Sequence, residues 1–489
     1  MMAAVSGLAV SSMMVSSTAI AASSARPQPS RHAGVGGVMT PAVRAPLIGA
    51  YYSDWFPANS SQGTLRQHLV PKQGADPTKV NSASPKVAEE AIAQATRSGI
   101  SFFAMDYWPD RPAQNKNIGA FLRADNIGDM KFCLLYETWD LGFDAPLEST
   151  PVTPHTESEF DSQLLQFAQT YFANPNYLRF QGRPVLVLYL TRTLTGNVAG
   201  MIEHARALLQ AHGDDPYIIG DEIFWRVTAE QLPAVGTAFT TTPQSTRIHL
   251  FNAITSYSLY DGDPSDPLAP GHDFVGYPGD TSIVNDEVAL YRRYQQAADG
   301  IPVIPDVTPG ENTRGVRLAS NEPAEPRQWL PGAPSGSTLY HFLSDIARPV
   351  LSPYLPMLFV TSWNEWNEDT AIQPVGGTPT TRDNSPSGTN YTQGYTYGGE
   401  GSTDLNVIRN FVAAAWGRVR LGDRNDRHAL VTARSHGRVV SRARTDDEGW
   451  YVLPDTAGTT GTLTITVAHQ SAVMVATPGT AVQVDFSIS

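Results

Sequence analysis

An α/β fold, a (β/α)8 TIM barrel followed by a small all-β sandwich domain, is what this sequence predicts, and three observations predict it. Eight short apolar runs recur between residues 46 and 363, amphipathic segments lie between them, and past Trp416 the pattern changes to short alternating runs separated by turn clusters. With 489 residues, 41% of them hydrophobic, the chain is long enough for one large domain with a sizeable core and one small one.

The runs are PLIGAYY (46–52), ISFFAMDYW (100–108), MKFCLLYET (130–138), RPVLVLYL (183–190), DPYIIGDE (215–222), HLFNAITSYS (249–258), IPVIPDVT (301–308) and LPMLFVTSW (355–363). They are almost continuously apolar, as strands are when both faces of a parallel sheet are covered. Between them PKVAEEAIAQATRSG, ESEFDSQLLQFAQTYF, VAGMIEHARALLQAHG, IVNDEVALYRRYQQAADG and TLYHFLSDIARPVL read as amphipathic helices, several ending in Gly where a C-cap wants one. Strands alternating with helices imply a barrel, placed at 44–417. ALVTAR, GRVVSRARTDDEGWYVL, TLTITVA and VQVDFSIS then predict a β-sandwich over 424–489. Within it VSRARTDDEGWYVLP resembles the carboxypeptidase regulatory-like fold, an extracellular accessory module, and stabilisation or carbohydrate or surface attachment is expected of it, not chemistry.

The N-terminal stretch AAVSGLAVSSMMVSSTAIAA is small and apolar and ends in an A-x-A pattern, so residues 1–25 read as a signal peptide and 26–43 as a disordered linker. No later run reaches about 18 apolar residues, so no membrane span is expected, and the protein is expected to be secreted and monomeric. Acidic residues outnumber basic ones 47 to 34, a net charge of −13 without a Lys/Arg block, which argues against a nucleic-acid partner. The single cysteine, Cys133, allows neither an internal disulfide nor a Cys-based metal site and reads as core filler. DGDPSD (261–266) lacks the Gly and distal Glu of an EF-hand loop and reads as an acidic loop. No metal or cofactor is expected, and no zinc-protease, nucleophile-elbow or nucleotide-binding motif is present.

Barrel chemistry is built at the C-terminal ends of the strands. There the runs carry Tyr51, Tyr52 and Trp55; Asp106, Tyr107 and Trp108; Glu137 and Trp139; Asp221 and Glu222; Tyr257; Asp306, Glu311 and Arg314; then Asn364, Glu365, Trp366 and Glu368. Aromatic faces stack on the C–H faces of sugars and carboxylates bind hydroxyls, so this inventory suits an oligo- or polysaccharide better than an anion. Tyr52, Trp55, Asp106, Tyr107, Trp108, Glu137, Trp139, Glu222, Tyr257, Asp306, Arg314, Asn364 and Trp366 are the expected substrate contacts. For any one of these a strand-end cap or solvated loop residue is the plainer reading; all eight ends together describe a cup.

Glu365 and Glu368, in TSWNEWNEDTAIQP (361–374), are the expected catalytic pair. On a turn leaving the eighth strand, side chains three apart share a face with Cβ atoms about 5–6 Å apart. Neighbouring carboxylates resist simultaneous ionisation, so one holds a proton while the other stays a base, the division of labour glycosidic cleavage needs. Solvated acids at a helix entry are the alternative.

That segment resembles the strand-eight signature of glycoside hydrolase family 99 and its WbsX-type relatives, an Asn-Glu-Trp-x-Glu segment carrying the active-site acids. AYYSDW, FFAMDYW, LLYETW, YLRFQGRPVLVLY and PGENTRG agree in order, and together these landmarks span 47–374. The resemblance implies a retaining, endo-acting enzyme on α-linked glycan, α-mannan-like or an envelope polysaccharide. Glu365 would take the proton of the sugar 2-hydroxyl, which attacks C1, and Glu368 would be general acid and then base. A non-catalytic glycan-binding barrel or a polysaccharide-assembly protein is the alternative. Asp369 stands where relatives usually have Gly, and Gln373 where an acid commonly precedes Pro. Asp369 is thus a third charge near the pair, either raising the pKa of Glu368 or turned to solvent. The long loops after the sixth and eighth strands are expected to set specificity.

Overall fold

The structure, a computed structural model, describes residues 46–56, 70–71, 80–109, 111–138, 141, 150–223, 244–257, 277–312, 324–366, 368–376, 401–455, 461–477 and 479–488. The expected signal and linker, Trp139, Arg314, the DGDPSD cluster and most of the two long loops lie outside these residues.

All eight apolar runs form barrel strands: β1 Leu47–Tyr52, β2 Phe102–Tyr107, β3 Lys131–Glu137, β4 Arg183–Tyr189, β5 Tyr217–Asp221, β6 Ala253–Thr255, β7 and β8 Met357–Val360. β7 is split by Pro305, which has no N–H to give a ladder, into Val303–Ile304 and Asp306–Val307. Every pairing is parallel and in chain order from β1 to the first half of β7. The second half of β7 pairs with β8, and β8 with β1, which closes the ring.

The expected helices form as α1 Pro85–Thr96, α3 Pro154–Phe167, α4 Val198–Ala211, α5 Ile283–Ala298 and α6 Ser337–His341; α3 and α6 continue into π-helical turns, Ala168–Phe172 and Phe342–Ala347. Two further helices of ten residues each, α2 Pro112–Phe121 and α7 Thr403–Val412, lie outside the amphipathic segments expected from periodicity. α1, α2 and α3 each begin with proline, whose missing N–H would have no partner there. Gly99, Gly213 and Gly300 follow α1, α4 and α5 with φ of 84°, 91° and 97°, the left-handed exit that glycine supplies.

Alternation along each strand decides what faces the barrel axis. Tyr51 stacks on Phe359 at 4.9 Å inside, while Tyr52 packs on Phe103 and Phe121, toward α2. Gly49 lets Phe102 lie across the interior, since a Cβ there would sit 2.2 Å from its ring. Cys133 is buried in this core.

The C-terminal part is a two-sheet sandwich. β9 Ala413–Leu421 runs antiparallel to β12 Trp450–Pro454 and parallel to β15 Phe486–Ile488. Facing it are β10 Leu430–Ser435, β11 Arg438–Arg444, β13 Gly461–Val467 and β14 Gln470–Ala476, in the order β11-β10-β13-β14. Val419, Val431, Tyr451, Leu463, Ile465 and Phe486 fill the space between. β9 therefore crosses the expected end of the barrel at 417 and lies wholly before the expected start of the sandwich at 424: its pairing makes it a sandwich strand, although it follows α7 without a break. The two parts touch through Arg97, which pairs with Asp446 at 3.1 Å, and through Arg409, which lies 4.1 Å over Trp416 while Trp416 stacks on Trp450. Among the described residues no helix is long and apolar enough to cross a membrane.

Candidate active site

The C-terminal strand ends open into a cavity of about 300 Å³. Alternation places Asp106 of β2, Glu137 of β3 and Tyr189 of β4 on its wall, and Tyr51 and Tyr257 beside them. Trp55 and Trp108, with ring centroids 5.8 Å apart, form a further wall, and Glu365 and Glu368 complete it. The carboxylate-rich, aromatic cup expected from the strand ends is thus present, with both glutamates of the eighth segment in it.

The segment after β8 is tied down at both ends. Ser362 N donates to Thr370 O and Ile372 N to Ser362 O, both at 2.9 Å, and the Ser362 and Thr370 hydroxyls meet at 2.9 Å. Glu365 N donates to Ser362 Oγ at 2.8 Å. Trp363 N donates to Tyr51 O at 2.7 Å, and the Trp363 ring packs on Phe103. Within this closed loop Glu365 is buried and Glu368 half-buried, so one carboxylate sits deep and the other nearer the rim.

Asp106 accepts a hydrogen bond from Trp108 Nε1 at 3.0 Å and shares another with the Glu137 carboxyl. Burial pushes its pKa up to about 6, and these two hydrogen bonds and the Arg111 charge only partly oppose that. Arg111 itself lies 3.8 Å over the Trp108 ring. Behind Asp106, Asp54 is fully buried, and its pKa is raised well above the usual range by burial first and by the Asp106 charge second. Burial likewise lifts the Tyr257 hydroxyl, with Glu368, Tyr189 and Glu365 as the nearby groups adding to it.

Several expected contacts are employed elsewhere. Tyr52 borders the cavity but turns its ring outward, and Tyr107 packs between Tyr136 and Phe167 on the helix side. Glu222 is held by Arg247 through two hydrogen bonds of 3.1 and 2.9 Å. Asp306 accepts from Thr361 Oγ1 at 2.8 Å and does not reach the cavity lining. Asn364 is spent on the backbone of Ser53, and Trp366 is fully buried against Phe56 at 4.6 Å. Asp369 is not turned to solvent. It is buried on Arg327, which donates to Asp369 O at 2.7 Å and to its carboxylate at 3.1 Å, and also to Asp404 at 2.7 Å. Its φ is 55°, the left-handed region that glycine enters freely and Asp tolerates.

Tyr189, Leu135, Leu190 and Ser53 line the cavity without having been singled out. For Tyr189 the signal is present in the sequence: it is next to last in the fourth run, RPVLVLYL, two residues beyond Val187, so alternation aims it inward.

Fold and site together define a (β/α)8-barrel protein with an acid-lined, aromatic-walled cavity at its strand ends. Residues 47–378 match the family described as Glycosyltransferase WbsX, and the chain belongs to that family. The match starts at β1 and ends just past the strand-eight segment. Among solved structures, a glycoside hydrolase-like protein is similar at 18% identity with a TM-score of 0.54, covering 76% of this chain and 96% of that one. A GH99 endo-alpha-mannosidase from Bacteroides thetaiotaomicron is 14% identical with a TM-score of 0.44, covering 68% of this chain and 88% of that one. No curated protein matches the chain.

Proposed function

We propose that this protein is a secreted, retaining, endo-acting glycoside hydrolase that cleaves α-linked glycan, α-mannan-like or an envelope polysaccharide. The observation that carries this reading is the shared cavity: Glu365, Glu368, Asp106 and Glu137 line one space of about 300 Å³ together with Trp55, Trp108 and four tyrosines. Tryptophan faces can stack on a sugar ring, and the acids can bind its hydroxyls. The deep Glu365 suits a base that takes the 2-hydroxyl proton as that oxygen attacks C1 and the glycosidic bond breaks. Glu368, nearer the rim, suits the acid that protonates the departing oxygen and then draws a proton from the water that attacks C1, as the C1–O2 bond of the 1,2-anhydro sugar breaks and Glu365 returns its proton to O2. The small apolar N-terminal stretch supports export.

The family description favours a second reading, sugar transfer in polysaccharide assembly. The same pair would then pass the sugar to an acceptor hydroxyl instead of water. Purified protein incubated with α-mannans, α-glucans and bacterial envelope glycans, without added nucleotide, separates the two. New reducing ends whose first anomer is that of the substrate support the hydrolase. Release only when an activated sugar donor and an acceptor are supplied supports transfer, and no turnover under either condition overturns both.

A further inference from the structure

The four-stranded sheet of the sandwich turns one face to its core and the other to solvent, and the strand register fixes what the outer face carries. Thr432 lies beside Arg442 and Thr466, Arg434 beside Thr464, Leu430 beside Arg444, and Thr464 beside Val473. Val431, Ala433, Leu463 and Ile465 fill the inner face, so alternation sends these rows outward. Arg434, Arg442 and Arg444 are exposed there, with Arg438 exposed at the start of β11. Arg434 and Arg444 donate to the backbone oxygens of Gly437 and His428, and among the described residues none of the four arginines meets a carboxylate.

From this we propose that the outer face of this sheet binds a linear acidic polysaccharide, one whose sugars carry carboxylate or sulfate groups. Three cations of the outward rows, Arg434, Arg442 and Arg444, stand on one hairpin of a chain whose net charge is −13, so they do not serve solubility by adding to it; Arg444, at the end of its row, also borders a cavity lined by Asp125, Asp129, Asp446 and Asp447. Shielding of a sheet edge does not account for Arg434, because β10 is an interior strand. A guanidinium fork matches a carboxylate or sulfate through paired hydrogen bonds. Strands about 4.8 Å apart and a two-residue repeat of about 6.8 Å let one flat polyanion meet several arginines at once. The outward rows hold no aromatic ring, so neither nucleic-acid bases nor neutral sugars find a stacking platform there. The preference for a glycan over another polyanion rests on the glycan reading of the barrel; the charge of the face does not.

Retention of the full chain on immobilised polygalacturonate tests this. Binding is expected at low ionic strength and to fade as salt screens it. The combined Arg434→Gln, Arg442→Gln and Arg444→Gln variant should bind about tenfold more weakly or worse, while Arg292→Gln with Arg293→Gln, exposed on α5, should bind as wild type. Lysine at the same three positions should restore binding only in part. No retention, retention indifferent to the triple change, or displacement by single-stranded DNA at lower concentration than by free polygalacturonate overturns the inference. Turnover of uncharged glycan fragments should be unaltered in the triple variant. A protein that cleaves glycan without binding polygalacturonate therefore loses this inference alone, and one that binds without cleaving keeps it.

Discussion

Asn364 and Ser53 hold each other by reciprocal hydrogen bonds, Ser53 N to Asn364 Oδ1 and Asn364 Nδ2 to Ser53 O, both 2.8 Å long and buried. The pair joins the end of β8 to the end of β1, so the residue next to Glu365 is fixed from across the closure of the barrel. Asn364→Ala strands a buried N–H and a buried carbonyl, at a cost of about 1–3 kcal/mol. It also frees Glu365 to shift, and a displacement of about 1 Å is worth on the order of 10²-fold in rate. Steady-state kinetics should show the loss in kcat with KM little altered.

Asp369 offers a separation of two effects. Both Asp369→Gly and Asp369→Ala remove the ion pair with Arg327, but only alanine must hold a φ of 55° with a Cβ and no local hydrogen bond. In urea unfolding the alanine variant should be less stable than the glycine variant by about 1 kcal/mol. Equal stabilities would mean the loop relaxes when the pair is lost.

How far sequence reading reached follows from the same geometry. The strands were legible because each is an apolar run buried on both faces, and the strand-eight segment because its acids and tryptophans are crowded into a few positions. Which end residues look inward needed the alternation carried through: with Asp106 inside, Tyr107 must point to the helices, and with Tyr51 inside, so must Tyr52. The partners of Glu222 and Asp369, Arg247 and Arg327, are 25 and 42 positions away, and no local pattern announces such pairs. The first residues of β9 fall inside the barrel range expected from sequence because AAAWGRVRL carries no boundary signal of its own; only its ladder to β12 does.

Acidity should act on stability through Asp106. Its carboxyl keeps its proton to about pH 6 in the fold, whereas the unfolded group releases it near about 3.9. Between those values the native state binds more protons than the unfolded state, so this group's contribution falls as pH rises through the window, and the penalty is complete above it. Asp106→Asn removes the titration. Relative to wild type the variant should gain about 2–3 kcal/mol between pH 4 and pH 7 in urea unfolding, and a difference that does not change with pH would place the proton elsewhere.

Cutting the chain at 424 should not leave a well-behaved barrel. The cut keeps β9 and removes β12 and β15, so Ala415 and Val419 lose their covering strands and Arg97 loses Asp446. A cut before β9, at 412, removes the orphaned strand as well and should unfold more cooperatively in calorimetry than the longer fragment. The opposite order would show that β9 belongs with the barrel.

The glutamate pair gives the sharpest test of the proposed chemistry. If Glu368 is the general acid, Glu368→Gln should cripple substrates with poor leaving groups far more than activated aryl glycosides, because an activated group departs with little need of a proton. Glu365, buried deeper, takes the 2-hydroxyl proton whatever the leaving group, so Glu365→Gln should depress both substrate types by comparable factors, on the order of 10²–10⁴. An activated 2-fluoro glycoside has no 2-hydroxyl to attack C1, and it should resist cleavage without leaving a sugar on the protein. Mass spectrometry of the incubated protein reads this directly. A stable adduct on Glu365, Glu137 or Asp106 would make that carboxylate the nucleophile and replace neighbouring-group attack with a conventional two-carboxylate displacement, the geometry of the cavity being open to either.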